Sequence, residues 1–345
     1  MKYIKGFDAL RAFSIILVLL THIGLYEILP DNNYLKTRGW NLMSGTTGVQ
    51  LFFTLSGFLI TSILLEEKNK NGFINFKNFY IRRFLRLLPP LIVFYLIVAA
   101  CMQFRLIHTT SIGLICSFFY VYNFVPNQYY TAELGHTWSL AVEEQFYLTW
   151  PLVVNFIKNK KTVYFIVTLI ILSCIAAVLI LPVTTFAVNF RTGYWFIPAV
   201  APIIIGSLFA YLNRNQFQNL NLQILNSNKL LLIAFVLFIF PLYSPLFLLK
   251  FAFLSQSVAA SLFLIWVLHN QDKKLTNIID HKVPQYIGKI SYGLYVYQGF
   301  FLRTGPGGNL SVQQFPLNLA LTFLVAIISY EFIEKPVLKL KHKFY

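Results

Sequence analysis

Four places in this chain, the last made of two stretches, carry ionisable side chains inside otherwise apolar sequence, where charge is costly and a retained charge is a functional candidate. In FDALRAFSIILVLLTH, residues 7–22, Asp8 and Arg11 stand three apart and can pair along a helix. Arg11 and His22 fall within about 20° of each other on one helical face, with His22 roughly 16 Å farther along the axis. Burial disfavours a charged imidazole, and a neutral imidazole is what a general base needs. The bland alternative is a structural histidine hydrogen-bonded between helices. In RRFLRLLPP, residues 82–90, a helix turns Arg83 and Arg86, and also Arg82 and Arg86, to one side. The residue before a proline disfavours helix, so a break is expected at Leu88, with Pro89 and Pro90 opening the next span. Such a basic element suits anionic lipid or a phosphate-bearing molecule, and the arginine fork fits phosphate better than lysine does.

In GHTWSLAVEEQFYL, residues 135–148, His136, Ser139 and Glu143 form one helical stripe. Glu143 shares the face of His136 and Glu144 does not. These carboxylates fit either work at a site or burial against an arginine of another helix. SYGLYVYQ, residues 291–298, aligns Ser291, Tyr295 and Gln298, and YEFIEKP, residues 330–336, sets Glu331 and Glu334 a turn apart. Tyrosines at span ends also fit an interfacial belt. Cys101, Cys116 and Cys174 lie in apolar segments without zinc-ligand spacing and read as packing residues, so no metal is expected.

The elements that position these groups follow from composition. The chain is 57% hydrophobic and 12% charged, too little charge to coat a water-exposed surface. Its apolar residues come in blocks of about 20, the length of a bilayer-crossing helix. The blocks are continuous rather than alternating, which excludes a β-barrel. Ten are expected, near 10–29, 46–65, 88–107, 138–157, 162–182, 194–212, 230–248, 251–269, 287–303 and 316–334. The first carries a histidine and ends in EILPDNN rather than a small-residue cleavage site, so it reads as a retained span. With both termini inside, 22 of the 28 Lys and Arg residues fall on the inner side, as cytoplasmic loops require. That distribution accounts for the net charge of +16 without nucleic acid. The shorter block at 111–125 would collapse the asymmetry if it crossed fully, so it is expected to be re-entrant. The expected fold is therefore all-α, a polytopic membrane protein of about ten transmembrane helices plus that segment. It forms one membrane domain over 1–345, with no appended soluble domain.

Together the segments resemble acyltransferase family 3, the bacterial integral-membrane O-acyltransferases, over almost the whole chain. LRAFSIILVLLTH resembles the family's first span, whose functional histidine falls on His22, and FFTLSGFLI its second. RRFLRLLPP matches the basic motif, whose arginines fall on Arg83 and Arg86. HTWSLAVEEQFYLTWP matches the acidic motif, and SYGLYVYQ with FIEKP the last two spans. One departure stands out: many members carry His where this chain has Gln298, which hydrogen-bonds but takes no proton at neutral pH.

The resemblance implies an acyl-CoA donor, most often acetyl-CoA, reached from the cytoplasm, and an acceptor hydroxyl on an outward-facing glycan or lipid-linked saccharide. It implies a multi-pass protein of the bacterial cytoplasmic (inner) membrane, in contact with its lipids. On that reading Arg11, Arg83 and Arg86 hold the donor, and His22 acts on the hydroxyl as base or carries the acyl group. Glu143 orients the acceptor or tunes a neighbour, with Trp138, Ser139 and Glu144 lining the substrate. Polar residues deep in a bundle fit two rivals, a transporter or flippase for an acidic lipid or sugar, and a partner protein without activity. Formation of an ester separates the first reading from both.

Overall fold

The computed structural model describes residues 3–24, 39–156, 164–168, 170–172, 175, 189–215, 227–244 and 251–344. Among these, helices and turns account for the architecture, and the sole β-feature is an isolated bridge between Pro126 and Phe190. The main helices are α1 (Phe7–His22), α2 (Gly45–Asn71), α3 (Phe76–Gln103), α4 (Ser111–Phe118) and α5 (Thr137–Phe156). After them come α6 (Ala201–Asn215), α7 (Asn228–Tyr243), α8 (Ala252–His269), α9 (Lys282–Phe301) and α10 (Leu317–Ser329). A π-helical turn, Tyr330–Glu334, carries α10 on into Lys335–Leu340.

Among the described residues, four helices are long and apolar enough to cross a membrane: α2, α3, α8 and α10 with its continuation to Leu340. The chain is thus a nearly all-helical membrane protein. The expected count of about ten is not established by these helices. The block at 162–182 lies largely outside the described residues, as does the first block beyond Gly24.

Local sequence sets the helix ends. The Ser44 hydroxyl accepts from the Thr47 N–H at the start of α2, and Gly72 closes it at φ 79°, where only glycine is unstrained. Asn75 caps α3 through the Asn78 N–H. The expected break at Leu88 does not occur: α3 runs unbroken through Pro89 and Pro90. Neighbouring α9 supplies donors there, since Tyr292 donates to the Leu87 carbonyl at 2.9 Å and Tyr297 to the Pro90 carbonyl at 3.2 Å. These bonds tie α3 to α9 at the proline pair, whose missing N–H groups free the Leu85 and Arg86 carbonyls a turn earlier; prolines are tolerated inside membrane helices packed against neighbours. The segment 111–125 forms α4 and a short 3₁₀ turn, Tyr122–Phe124. Eight helical residues are about 12 Å long, well short of a bilayer core of about 30 Å.

Small residues allow the close crossings around the site. On α2 and α6, a Cβ at Gly57 would strike the Ile203 carbonyl, and one at Gly206 the Thr54 carbonyl. The Ser207 hydroxyl donates across the same seam to the Gly57 carbonyl at 3.2 Å. Gly288 of α9 likewise sits against the Asp8 backbone of α1. Backbones this close gain packing that larger side chains would forbid. As a result α1 lies between α2 and α9, with α3 packed on α9 and α5 on α2.

Candidate functional site

All five helices line one chamber, and α1, α2, α5 and α9 with flanking loop residues line a second. The first has a volume of about 190 Å³ and takes Arg11 from α1, Arg83 and Arg86 from α3, Ser139 and Glu143 from α5 and Tyr295 from α9. Arg11 pairs with Asp8 at 2.6 Å, as their spacing suggests. Arg83 and Arg86 make no ion pair among the described residues. The Arg83 guanidinium lies over the Tyr147 ring at 4.7 Å and near Phe79 at 5.7 Å. Arg82 turns away: it pairs with Glu67 at 3.1 Å and donates to the Phe344 carbonyl at 2.7 Å. Of the three arginines in RRFLR, the pair three apart faces the chamber and the third ties down the chain end.

Glu143 Oε1 accepts hydrogen bonds from Ser56 Oγ of α2 and from the Tyr147 hydroxyl. Because Tyr147 also seats Arg83, the carboxylate fixes the aromatic face on which that guanidinium rests. Glu144, on the other side of α5, lines a separate groove of about 350 Å³ with Arg83, Tyr120 and Tyr147.

The second chamber has a volume of about 350 Å³ and takes Thr21 and His22 from α1, His136 and Trp138 from the start of α5, Tyr194, and Thr304 beyond α9. His22 Nδ1 lies 2.8 Å from Oε1 of Gln298, which is fully buried. With an amide oxygen as acceptor, the ring proton sits on Nδ1, and Nε2 is left able to take a proton. Trp138 stacks on Tyr194 with centroids 4.3 Å apart and planes within 5°.

Val49 and Tyr295 line both chambers and form the wall between them. The Tyr295 hydroxyl is held by Ser139 Oγ at 2.5 Å and the His136 carbonyl at 3.1 Å, and Phe52 meets its ring edge-on. The helical stripe read from the sequence therefore straddles the wall. His136 and Trp138 stand with His22, whereas Ser139 and Glu143 stand with the arginines. Sequence reasoning did not single out two participants, Ser56 and Tyr147, and did not see what Gln298 bonds. Ser56 is one polar residue in an apolar span, Tyr147 shows only its one-turn spacing from Glu143, and Gln298 reads as a departure rather than as the partner of His22.

Comparison with known proteins places this geometry in context. A family model described as an acyltransferase domain matches residues 4–331. A Listeria monocytogenes protein named "Peptidoglycan O-acetyltransferase OatA" is 30% identical over 377 residues, covering 98% of this chain and 56% of that protein. A Bacillus subtilis protein named "Putative peptidoglycan O-acetyltransferase YrhL" is 30% identical over 365 residues, covering 97% of this chain and 55% of that protein. The chain thus spans about half the length of these relatives. No solved structure matches it.

Proposed function

We propose an activity on the premise that this chain belongs to acyltransferase family 3: it moves an acetyl group from cytoplasmic acetyl-CoA to a hydroxyl of a glycan outside the membrane. The acceptor is peptidoglycan, the substrate named for its relatives in Listeria and Bacillus. The observation that carries the reading is the pair of chambers, one cationic and one holding an oriented imidazole, that share Val49 and Tyr295 in their linings.

In this reading Arg11, Arg83 and Arg86 face the cytoplasm and take the donor phosphates. The Arg83 and Arg86 guanidinium forks, outside any ion pair among the described residues, suit that anion, with Arg11 held beside them by Asp8, and burial in a cramped chamber strengthens the charge-assisted hydrogen bonds. The first chamber is too small for a whole coenzyme A molecule, so it takes the pantetheine arm and leaves the nucleotide at the mouth. The thioester reaches past Val49 and Tyr295 toward His22. The acceptor sugar enters the second chamber from outside and packs on the Trp138–Tyr194 stack. Its hydroxyl oxygen attacks the thioester carbon while Nε2 of His22 takes the hydroxyl proton. The new C–O bond replaces the C–S bond, and the proton passes from His22 to the departing thiolate. Gln298 keeps Nδ1 protonated throughout, so the ring presents the correct nitrogen. Glu143 acts on the donor side as a positioning group for Tyr147 and Arg83. The ten-span arrangement with both termini cytoplasmic, in the inner membrane of a bacterium, gives the chambers these opposite exposures.

The test separates the two chambers in purified protein in lipid. Arg83→Ala with Arg86→Ala is expected to weaken acetyl-CoA binding, and His22→Ala to abolish transfer while leaving donor affinity intact. Equal donor affinity in the arginine variant, or normal transfer by His22→Ala, contradicts the assignment.

A further inference from the structure

His136 is 2% exposed, lines the second chamber, and has no hydrogen-bond partner for either ring nitrogen among the described residues, although its ring faces the Val296 carbonyl. A buried polar atom without a partner calls for an explanation, and a substrate that completes it is one. The ring is also rigidly held. Phe94 meets it edge-on at 5.4 Å and Tyr295 at 5.6 Å. Gly299 of α9 lies so close that an added Cβ would strike its Cε1. The His136 backbone is anchored as well, since its carbonyl accepts from Tyr295 and from Ser139, each at 3.1 Å. The contrast with His22 is informative. His22 has Gln298 to fix its tautomer, as a base requires, whereas neither ring nitrogen of His136 meets a side-chain partner among the described residues. The Val296 carbonyl can engage one of the two nitrogens, so in the tautomer protonated at the other, that N–H is free for a ligand. His136 immediately precedes α5, a 20-residue helix, so the positive end of its dipole abuts the same chamber.

We propose that His136 is a catalytic residue that donates its ring N–H to the acyl carbonyl oxygen as negative charge develops there. This rests on the acyl-transfer reading above. As the acceptor hydroxyl adds to the thioester carbon and His22 takes its proton, the carbonyl π electrons move onto oxygen. His136 and the α5 terminus hold that charge, and it returns to the carbonyl as the C–S bond breaks and the thiolate leaves. A donor held in place before the reaction needs no reorganisation during it, which is where such groups gain their effect.

The experiment compares wild type, His136→Gln, His136→Phe and His22→Ala in lipid, with acetyl-CoA as donor and solubilised peptidoglycan fragments as acceptor. Donor affinity is read separately with acetonyl-CoA, whose methylene-bridged ketone cannot be cleaved. His136→Phe, which keeps a ring but loses the N–H, is expected to lower kcat by about 10²–10³-fold with donor affinity unchanged. His136→Gln, which keeps an N–H donor, should recover at least about tenfold of that loss. If His136→Phe does not fold, as judged by size exclusion, His136→Leu takes its place. Three outcomes overturn the proposal: kcat near wild type without the N–H, equal loss in the Gln and apolar variants, or a loss confined to KM for the acceptor. If His22→Ala is inactive while His136→Phe turns over normally, the acyl-transfer reading stands and only this role falls. If wild type transfers nothing, both fall.

Discussion

Replacing Gln298 by Leu tests the link between the buried amide and catalysis. Gln298 is fully buried and its Oε1 is the partner of His22 Nδ1, at 2.8 Å. Leucine of similar size leaves that N–H facing an apolar side chain. Leaving a buried donor unsatisfied costs about 1–3 kcal/mol, and the ring can regain a partner only by rotating or changing tautomer. Either response removes Nε2 from service as the base. If the cost falls wholly on the transition state, it corresponds to a loss of roughly 5- to 160-fold in kcat. Acetyl-CoA affinity should not change, because the amide bonds His22 of the second chamber and the arginines line the first. Gln298→His, the residue many family members carry at this position, restores a ring nitrogen able to accept and should return kcat to within about tenfold of wild type. Initial rates of acetyl transfer at saturating donor, measured beside donor binding, give both quantities. Full kcat in Gln298→Leu, or a matching loss of donor affinity, refutes the reasoning.

The other expectations can be tested on the same preparations. Losing Arg83 or Arg86 removes charge-assisted bonds of about 1.5–3 kcal/mol, so each Ala variant should raise the acetyl-CoA dissociation constant by roughly 10- to 150-fold in titrations. Arg82→Ala should lower the thermal midpoint with donor affinity unchanged, because its partners are Glu67 and the Phe344 carbonyl. Val49→Phe should block the passage between the chambers, abolishing transfer in the labelled-acetyl assay while acetyl-CoA still binds. Gly57→Val should destabilise the fold by at least about 1–3 kcal/mol in thermal unfolding, because a Cβ there meets the Ile203 backbone.

Much of the arginine chamber was legible in the sequence. Three-residue spacing brings Arg83 and Arg86 to one chamber and pairs Asp8 with Arg11, because both relations lie within single helices. Relations between helices were not legible. His22 and Gln298 are 276 residues apart, and Ser56 and Glu143 are 87 apart, so no local pattern announces either pair. The stripe of His136, Ser139 and Glu143 misleads for a geometric reason. Seven residues of helix extend about 10 Å, enough to reach from one chamber past Tyr295 into the other. The prolines of α3 mislead for another reason, since the tyrosines that tie the helix to its neighbour there come from α9.

The central claim is that an acetyl group crosses from the arginine chamber to the histidine chamber and leaves as an ester on the far side. The most direct measurement seals the protein in vesicles with acetyl-labelled coenzyme A on the arginine side and peptidoglycan fragments on the other, and follows label on the fragments. The account predicts labelled fragments, released as acetate by mild alkali, with wild type and none with His22→Ala. Unlabelled fragments with wild type, or equal labelling by both proteins, would contradict it.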